Sequence, residues 1–81
     1  MSIRVLFFAT LADAAGVREM ELSGSDASDV GAVFSRAARD YPRIEAHRSS
    51  MLWALNSEFA RPEAPVRDGD EVAFFPPVSG G

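Results

Sequence analysis

The sequence predicts one α+β domain, in which a single long helix packs against a small mixed sheet. Three observations indicate this class: short segments rich in β-branched and aromatic residues, one stretch with the apolar spacing of an amphipathic helix, and turn residues between the segments. The predicted element order is β-α-β-α-β-β-β. A chain of 81 residues can bury one hydrophobic core, and no repeat, linker or second domain is visible in it.

The first part of the chain predicts two strands joined by a short helix. Residues 3–8 are rich in β-branched and aromatic side chains, which is typical of a strand buried on both faces. A helix follows at residues 10–15, with Thr10 as a candidate N-cap and Gly16 as the left-handed residue that ends it. Residues 17–22 alternate in polarity and form the second strand. Because the connection is short, the two strands should pair antiparallel.

The next segment predicts the main helix. Residues 23–28 form a loop of small and polar residues, after which Ser28 or Asp29 can cap a helix. Pro42 should end this helix, because proline disfavours helical backbone in the residue before it. Apolar residues recur at i, i+3, i+4, i+7 and i+11 and form one stripe, which comprises Val30, Val33, Phe34, Ala37 and Tyr41.

The second half predicts three more strands. Residues 43–50 are polar and indicate a loop with a helical turn, and residues 51–55 form the third strand. A turn at residues 56–58 leads into a short strand at residues 59–60.

Proline and glycine residues predict irregular structure and a turn before the last strand. Pro62 and Pro65 keep the segment after the fourth strand irregular. Asp68, Gly69 and Asp70 predict a tight turn, and the last strand follows at residues 71–75.

The composition excludes most classes of chemistry. The net charge is −4 and all eight basic residues are arginines, so the chain lacks the basic surface of a nucleic-acid-binding protein and has no lysine for Schiff-base chemistry. The absence of cysteine excludes disulfides, thiolate catalysis and cysteine-ligated metals. The single histidine, His47, cannot build a multi-histidine site.

Two groups of polar residues are candidate sites. No G-x-S-x-G segment accompanies His47, which favours a surface histidine after a helix over a catalytic triad. Asp68, Asp70 and Glu71 could hold a cation, but a turn and the start of a strand explain them and no further ligand residues cluster nearby. We therefore expect no metal site.

The N-terminal residues 1–15 superficially resemble a secretory signal. A single arginine, Arg4, and a short apolar run argue against this interpretation. No run approaches the roughly 20 apolar residues of a membrane span. We expect a cytoplasmic protein, and the lack of cysteine is compatible with that location.

Pairs of adjacent aromatic residues predict an exposed apolar patch. Neighbouring strand residues point to opposite faces, so one of Phe7 and Phe8, and one of Phe74 and Phe75, should lie away from the main helix. An exposed aromatic residue of this kind would form a partner-binding patch.

The last six residues form a distinctive tail. Pro76 and Pro77 lack amide hydrogens, so the sheet ladder cannot continue through them. Gly80 and Gly81 have no side chains, and six extended residues reach about 20 Å, so the tail could thread a narrow channel to an active site. The carboxylate of Gly81 would then be the functional group, activated by adenylation. A frayed terminus is the alternative interpretation.

The ending DGDEVAFFPPVSGG, residues 68–81, resembles the C-terminal signature of the sulfur-carrying small subunits of molybdopterin synthase. The opening VLFFATLADAAG, residues 5–16, resembles the first strand and helix of that family, and Leu55-Asn56 falls at its central hairpin. The resemblance spans essentially the whole chain. The Gly-Gly end is common to ubiquitin-like carriers, whereas the FFPP-V-[S/T]-GG ending is more specific. The chain departs from the family in its lack of lysine, and Ser79 stands where threonine is also familiar.

The resemblance implies a β-grasp, ubiquitin-like fold, with a globular domain at residues 1–75 and an extended tail at residues 76–81. It also implies that an activating enzyme uses ATP to adenylate Gly81, after which sulfur replaces the adenylate and leaves a thiocarboxylate. The chain itself would bind no cofactor.

The family resemblance further implies a large catalytic subunit as partner, in a heterotetramer with one small subunit at each end of a large-subunit dimer. The sulfur would attack cyclic pyranopterin monophosphate there, and two deliveries would build the dithiolene of molybdopterin. The chain would be the non-catalytic sulfur donor of this complex. By position, the inserted tail comprises Pro76, Pro77, Val78, Ser79 and Gly80, and the docking contacts are Phe75 and Phe7.

Three other functions stay open at the level of sequence. A carrier could serve another pathway, such as thiazole or amino-acid synthesis. A protein modifier could be conjugated to lysines through Gly81. A plain interaction module could carry an incidental tail.

Overall fold

Residues 2–77 are described by the computed structural model of the chain, so the predicted tail positions Val78, Ser79, Gly80 and Gly81 lie outside the described residues. The element order agrees with the sequence prediction. The strands are β1 (Ile3–Phe7), β2 (Glu19–Leu22), β3 (Leu52–Leu55), β4 (Glu58–Phe59) and β5 (Glu71–Phe75). The α-helices are α1 (Thr10–Ala15) and α2 (Val30–Asp40), and 3₁₀ helices lie at Gly24–Asp26 and Pro42–His47.

The five strands form one mixed sheet in the order β2-β1-β5-β3-β4. Strands β1 and β5 are parallel at its centre, and the other neighbouring pairs are antiparallel, including the predicted pair β1 and β2. A sheet of this kind with one long helix confirms the predicted α+β class. The parallel pairing brings the end of the first strand beside the end of the last one.

Helix α2 is positioned by local signals in the sequence. Asp29 caps it, because its Oδ1 accepts a hydrogen bond of 2.7 Å from the amide of Ala32. The helix ends at Asp40, two residues before Pro42, as predicted. The buried residues on its inner side are Val30, Val33, Phe34 and Ala37, which are four of the five predicted stripe positions.

The short helix α1 was predicted correctly at its end and incorrectly at its start. Gly16 ends the helix with φ 80°, the left-handed conformation that glycine adopts without strain. The candidate N-cap Thr10 is the first helical residue, and the cap position belongs to Ala9, which makes no side-chain cap bond.

Strand β1 is buried on one face only, which corrects the prediction of two buried faces. Ile3, Val5 and Phe7 are buried, whereas Arg4 is exposed and Leu6 is half-buried. The physical reason is that the core lies on one side of the sheet, so the strand alternates in burial with a period of two.

Three aromatic rings join α2 to the sheet. Phe34 of the helix lies 5.2 Å from Phe74 and 5.3 Å from Trp53 between ring centroids, and the latter two rings are 5.6 Å apart. The guanidinium of Arg48 lies 4.8 Å from the centroid of the Phe34 ring. Phe34 is therefore surrounded by aromatic and cationic groups at the centre of the core.

A tight hairpin connects β3 to β4. Asn56 and Ser57 both have positive φ, 51° and 71°, which is the backbone of a two-residue hairpin turn that matches strand twist. The register pairs Ala54 with Phe59, so these two side chains point to the same side of the sheet. Among the helices of residues 2–77, none has the length and apolar character needed to cross a membrane.

Candidate functional site

The outer face of the sheet, which points away from the core, carries both apolar and charged residues. Arg4 and Leu6 of β1 lie on this face, and the parallel register places Glu71 and Ala73 of β5 opposite them. The alternation continues to Phe75 at the end of β5. The outer face is thus apolar towards the carboxyl end of β5 and charged towards its beginning.

The apolar part forms a recess of about 300 Å³ together with Ser57 and Glu71. Two large side chains in it are exposed, Phe8 by 41% and Phe59 by 76%. We call this surface the outer patch. It comprises Leu6, Phe8, Ala54, Phe59, Ala73 and Phe75. Contiguous exposed aromatic residues of this kind are typical of a surface that contacts a partner.

The predicted docking role of Phe7 is wrong, because its side chain is only 3% exposed. The ring packs against Tyr41 at 6.1 Å and Phe74 at 6.0 Å between centroids, on the core side of the sheet. Strand alternation therefore gives the surface position to Phe8. Phe75 is half-buried on the outer face, and its docking role stays a prediction.

Phe59 is a residue of the outer patch that the sequence interpretation missed. It lies in the two-residue strand β4, and its burial from sequence alone is ambiguous. The available signal was the two-residue hairpin, which fixes the register and places Phe59 on the same face as Ala54.

Phe8 and Phe75 form a stacked pair at the end of the central strands. Their ring centroids are 4.7 Å apart and their planes differ by 8°. The amide of Phe8 also donates a hydrogen bond of 3.1 Å to the carbonyl oxygen of Phe74. The ring of Phe8 thus contacts Phe75, and the backbone amide of Phe8 contacts Phe74.

The chain turns sharply after Phe8. Ala9 has φ 51° and ψ −125°, the values of the first central position of a type II′ turn, where glycine is preferred. The amide of Leu11 donates to the carbonyl oxygen of Phe8 at 3.0 Å and closes the turn. A non-glycine residue in such a sparsely populated region costs on the order of 1–3 kcal/mol.

Strand β5 ends where the sequence places the start of the tail. Phe75 pairs with Leu52 of β3, and no strand residue follows it within the described part of the chain. Pro76 is half-buried and Pro77 is exposed. Both lack the amide hydrogen that a further rung of the ladder would require.

The three acidic residues of the candidate cation site have structural partners. Asp68 accepts a hydrogen bond of 2.7 Å from the amide of Gly24. Asp70 accepts bonds from the side chain of Asn56 and the amide of Arg67, which lower the pKa of its carboxyl. The carboxylate Oε2 of Glu71 lies 3.9 Å from Nη1 of Arg4.

These partners explain the acidic residues through turn and strand contacts. Within residues 2–77, no three His, Asp or Glu side chains come together as a candidate metal site. His47 lies half-buried at the end of the 3₁₀ helix that follows α2.

The fold defines the class of protein. A mixed sheet with parallel first and last strands at its centre, crossed by one long helix, is the β-grasp fold of ubiquitin-like proteins, as the resemblance implied. The crystal structure of SAMP1 from Haloferax volcanii superposes on the chain with a TM-score of 0.85, at 30% identity and full coverage of both chains.

The chain belongs to the ThiS family, whose family model matches residues 5–81. A curated relative from Chlamydomonas reinhardtii is 35% identical over the full length of both chains and is named a molybdopterin synthase sulfur carrier subunit. A complex of subunits 1 and 2 of the molybdopterin-converting factor from Helicobacter pylori contains a chain of the same fold. That chain has a TM-score of 0.70, 22% identity and full coverage on both sides.

Proposed function

We propose that this chain is the sulfur carrier subunit of a molybdopterin synthase and that it delivers sulfur as a thiocarboxylate at Gly81. The observation that carries the proposal is the combination of a β-grasp domain with a central strand that ends at Phe75 and is followed by Pro76 and Pro77. The full-length relatedness to a protein of that name supports it. The chain lacks cysteine and lysine, so its own side chains offer neither a thiol nor a primary amine for carrying sulfur or an acyl group.

The chemistry follows from the weak electrophilicity of a carboxylate. A carboxylate oxygen of Gly81 attacks the α-phosphate of ATP on an activating enzyme, and pyrophosphate leaves. A hydrosulfide-level sulfur donor then attacks the acyl carbon and displaces AMP, so that one oxygen of the carboxyl is replaced by sulfur. The thiocarboxylate is a better nucleophile than the carboxylate, and its sulfur forms a bond to cyclic pyranopterin monophosphate. Water then cleaves the acyl C–S bond, which leaves the sulfur on the substrate and returns Gly81 to a carboxylate.

The outer patch is the docking surface in this proposal. Its exposed rings, Phe8 and Phe59, lie on the same face as Phe75, the residue before the tail. A large catalytic subunit that covers this patch would receive the tail, residues 76–81, at its active site. We place one carrier at each end of a large-subunit dimer, in the cytoplasm.

Intact-mass spectrometry tests the loading step. The chain is incubated with an activating enzyme, ATP and a sulfur source, and the matched control is the same chain without Gly81. We expect the replacement of one oxygen by one sulfur in the full chain and no change in the control. An unchanged mass of the full chain, under conditions that load a known carrier, would contradict the proposal.

Protein modification is the second candidate function, because the chain is similar in fold to SAMP1, a small archaeal modifier protein. A modifier would form higher-mass adducts with lysines of other proteins through Gly81. Cell extracts probed for the chain distinguish the two functions. Adducts that vanish on removal of Gly81 support the modifier, whereas binding to a molybdopterin synthase large subunit without adducts supports the carrier.

A further inference from the structure

We infer that Phe8 is a positioning residue for sulfur transfer: its ring and backbone fix the direction in which the chain leaves the sheet after Phe75. The inference rests on the proposed function, because it concerns the delivery of the loaded tail. It differs from docking, since it assigns to Phe8 an effect on the tail that Phe59, the other exposed ring of the outer patch, does not share.

The first observation is the ring stack. Phe8 and Phe75 lie nearly parallel at 4.7 Å between centroids, and Phe75 is the last residue before the two prolines. Parallel stacking of two rings restricts the side-chain torsions of both. The Phe75 ring thus has a fixed partner on the outer face, at the point where the sheet ends.

The second observation is the loss of backbone restraint at Pro76. Phe75 is the last rung of the ladder with Leu52, and the amide of Phe8 makes the last bond from β1 to β5, to the oxygen of Phe74. Neither Pro76 nor Pro77 can donate another bond. The side chain of Phe75 is therefore the last side chain of the sheet before the tail begins.

The third observation is the strained turn at Ala9. A non-glycine residue at φ 51° and ψ −125° persists only where the surrounding structure determines it. Here the carbonyl oxygen of Phe8 accepts from Leu11, and that of Ala9 accepts from Asp13, at 3.0 and 3.1 Å. These bonds tie the backbone of Phe8 to the start of α1, so the Cα from which its ring extends is held from the helix side as well as by the bond to Phe74.

Phe8 and Phe59 provide a matched pair for the test. Both rings belong to the outer patch and both are exposed, but only Phe8 stacks on Phe75. The variants Phe8→Leu and Phe59→Leu each keep an apolar side chain. A loss of docking should appear in both, whereas a loss of positioning should appear in Phe8→Leu alone.

The experiment measures single-turnover sulfur transfer from the thiocarboxylated chain to cyclic pyranopterin monophosphate, across a range of large-subunit concentrations. For Phe8→Leu we expect a rate at saturating large subunit that is lower by roughly tenfold or more, since misplacement of a reacting group by about 1 Å can cost 10²-fold. For Phe59→Leu, a variant of the docking surface alone, we expect weaker half-saturation and a saturating rate closer to that of wild type than the rate of Phe8→Leu. Equal saturating rates in both variants would overturn the inference.

A second measurement uses the free chain and needs no partner. The backbone order parameter and residual dipolar coupling of the Phe75 amide are recorded by NMR in both variants. We expect a lower order parameter in Phe8→Leu and native values in Phe59→Leu. Native values in both variants would overturn the inference by themselves. Failure of the wild-type chain to transfer sulfur would instead count against the proposed function.

Discussion

Asn56 and Asp70 join the hairpin between β3 and β4 to the turn before β5. The side-chain Nδ2 of Asn56 donates a hydrogen bond of 3.1 Å to Asp70 Oδ1. The side-chain Oδ1 of Asn56 accepts a hydrogen bond of 2.9 Å from the backbone amide of Glu71. Asp70 Oδ2 accepts a further 3.0 Å bond from the amide of Arg67. These bonds connect two turns that are far apart in sequence.

The Asp70 contacts predict a pH dependence of stability. The bond from Asn56, followed by the bond from Arg67, lowers the folded-state pKa of Asp70, whereas the unfolded chain has an ordinary value of about 3.9. The stabilisation is fully present above the unfolded pKa and is lost as the pH falls through the lowered folded-state pKa. We expect Asp70→Asn to remove this part of the acid sensitivity.

Urea unfolding of wild type and Asp70→Asn from about pH 5 to pH 3 measures the effect. At neutral pH the variant should lose less than about 1 kcal/mol, because one carboxylate oxygen becomes a donor and the site is partly solvated. The exposed Glu63→Gln serves as control. Parallel pH profiles for wild type and Asp70→Asn would contradict the assignment.

Local signals in the sequence were sufficient to predict the two α-helices and the order of helices and strands along the chain. The Asp29 cap, the stripe of α2 and Gly16 at the end of α1 depend on residues within one or two helical turns of each other. Such signals are present in the unfolded chain and need no knowledge of distant contacts.

The candidate site was predicted only in part, because it depends on contacts between distant segments. Phe7 and Phe8 point to opposite faces of the sheet, but the sequence alone does not say which face is covered by the core. The position of the core decides which ring is exposed. Phe59 joins the outer patch through pairing with β3. Ala9 gave no signal, because alanine favours helices and is unusual in a type II′ turn.

The strain at Ala9 predicts a stabilising substitution. Ala9→Gly should relieve about 1–3 kcal/mol of backbone strain and lose about 0.4–1 kcal/mol through greater freedom of the unfolded chain. We expect a net gain of about 1 kcal/mol, which corresponds to a rise in Tm of about 4–8 °C in a domain of this size. Calorimetry of the two proteins checks this, and a fall in Tm would show that Ala9 is unstrained.

Replacement of Gly16 by alanine should lower the stability of the domain, in contrast to Ala9→Gly. The φ of Gly16 is +80°, and a Cβ placed there would meet no atom within 4 Å, so the cost of Gly16→Ala arises from backbone conformation alone. We expect a loss of about 1–2 kcal/mol, the usual penalty of the left-handed region for alanine. Thermal unfolding of Gly16→Ala beside Ala9→Gly compares the two positions, and an unchanged Tm would contradict the left-handed helix end.

Phe34 predicts the largest loss of stability. The side chain is fully buried and contacts Trp53 and Phe74, so Phe34→Ala should cost about 3–5 kcal/mol. That is a large fraction of the total stability of a domain, about 5–15 kcal/mol. The midpoint of urea unfolding measures the change, with the exposed Phe59→Ala as control, and a cost near that of the control would show that the core does not depend on Phe34.

Truncation of Phe59 should weaken partner binding without lowering the stability of the domain. The Phe59 ring is 76% exposed in the free chain, so Phe59→Ala removes little buried surface and should leave Tm nearly unchanged. A large subunit that covers the outer patch would bury this ring, and we expect its truncation to cost about 1.4 kcal/mol, which corresponds to about tenfold in Kd.

The measurement is calorimetric titration of a molybdopterin synthase large subunit with wild type, Phe59→Ala and Arg43→Ala. Arg43 is exposed in the 3₁₀ helix after α2, among elements that pack with the helices rather than on the outer patch, so its substitution should leave Kd unchanged. An unchanged Kd for Phe59→Ala, or an equal loss for Arg43→Ala, would place the docking surface elsewhere on the domain. Because ring truncation at Phe59 leaves the stack of Phe8 on Phe75 intact, a weakened Kd with normal sulfur loading would assign the defect to docking alone.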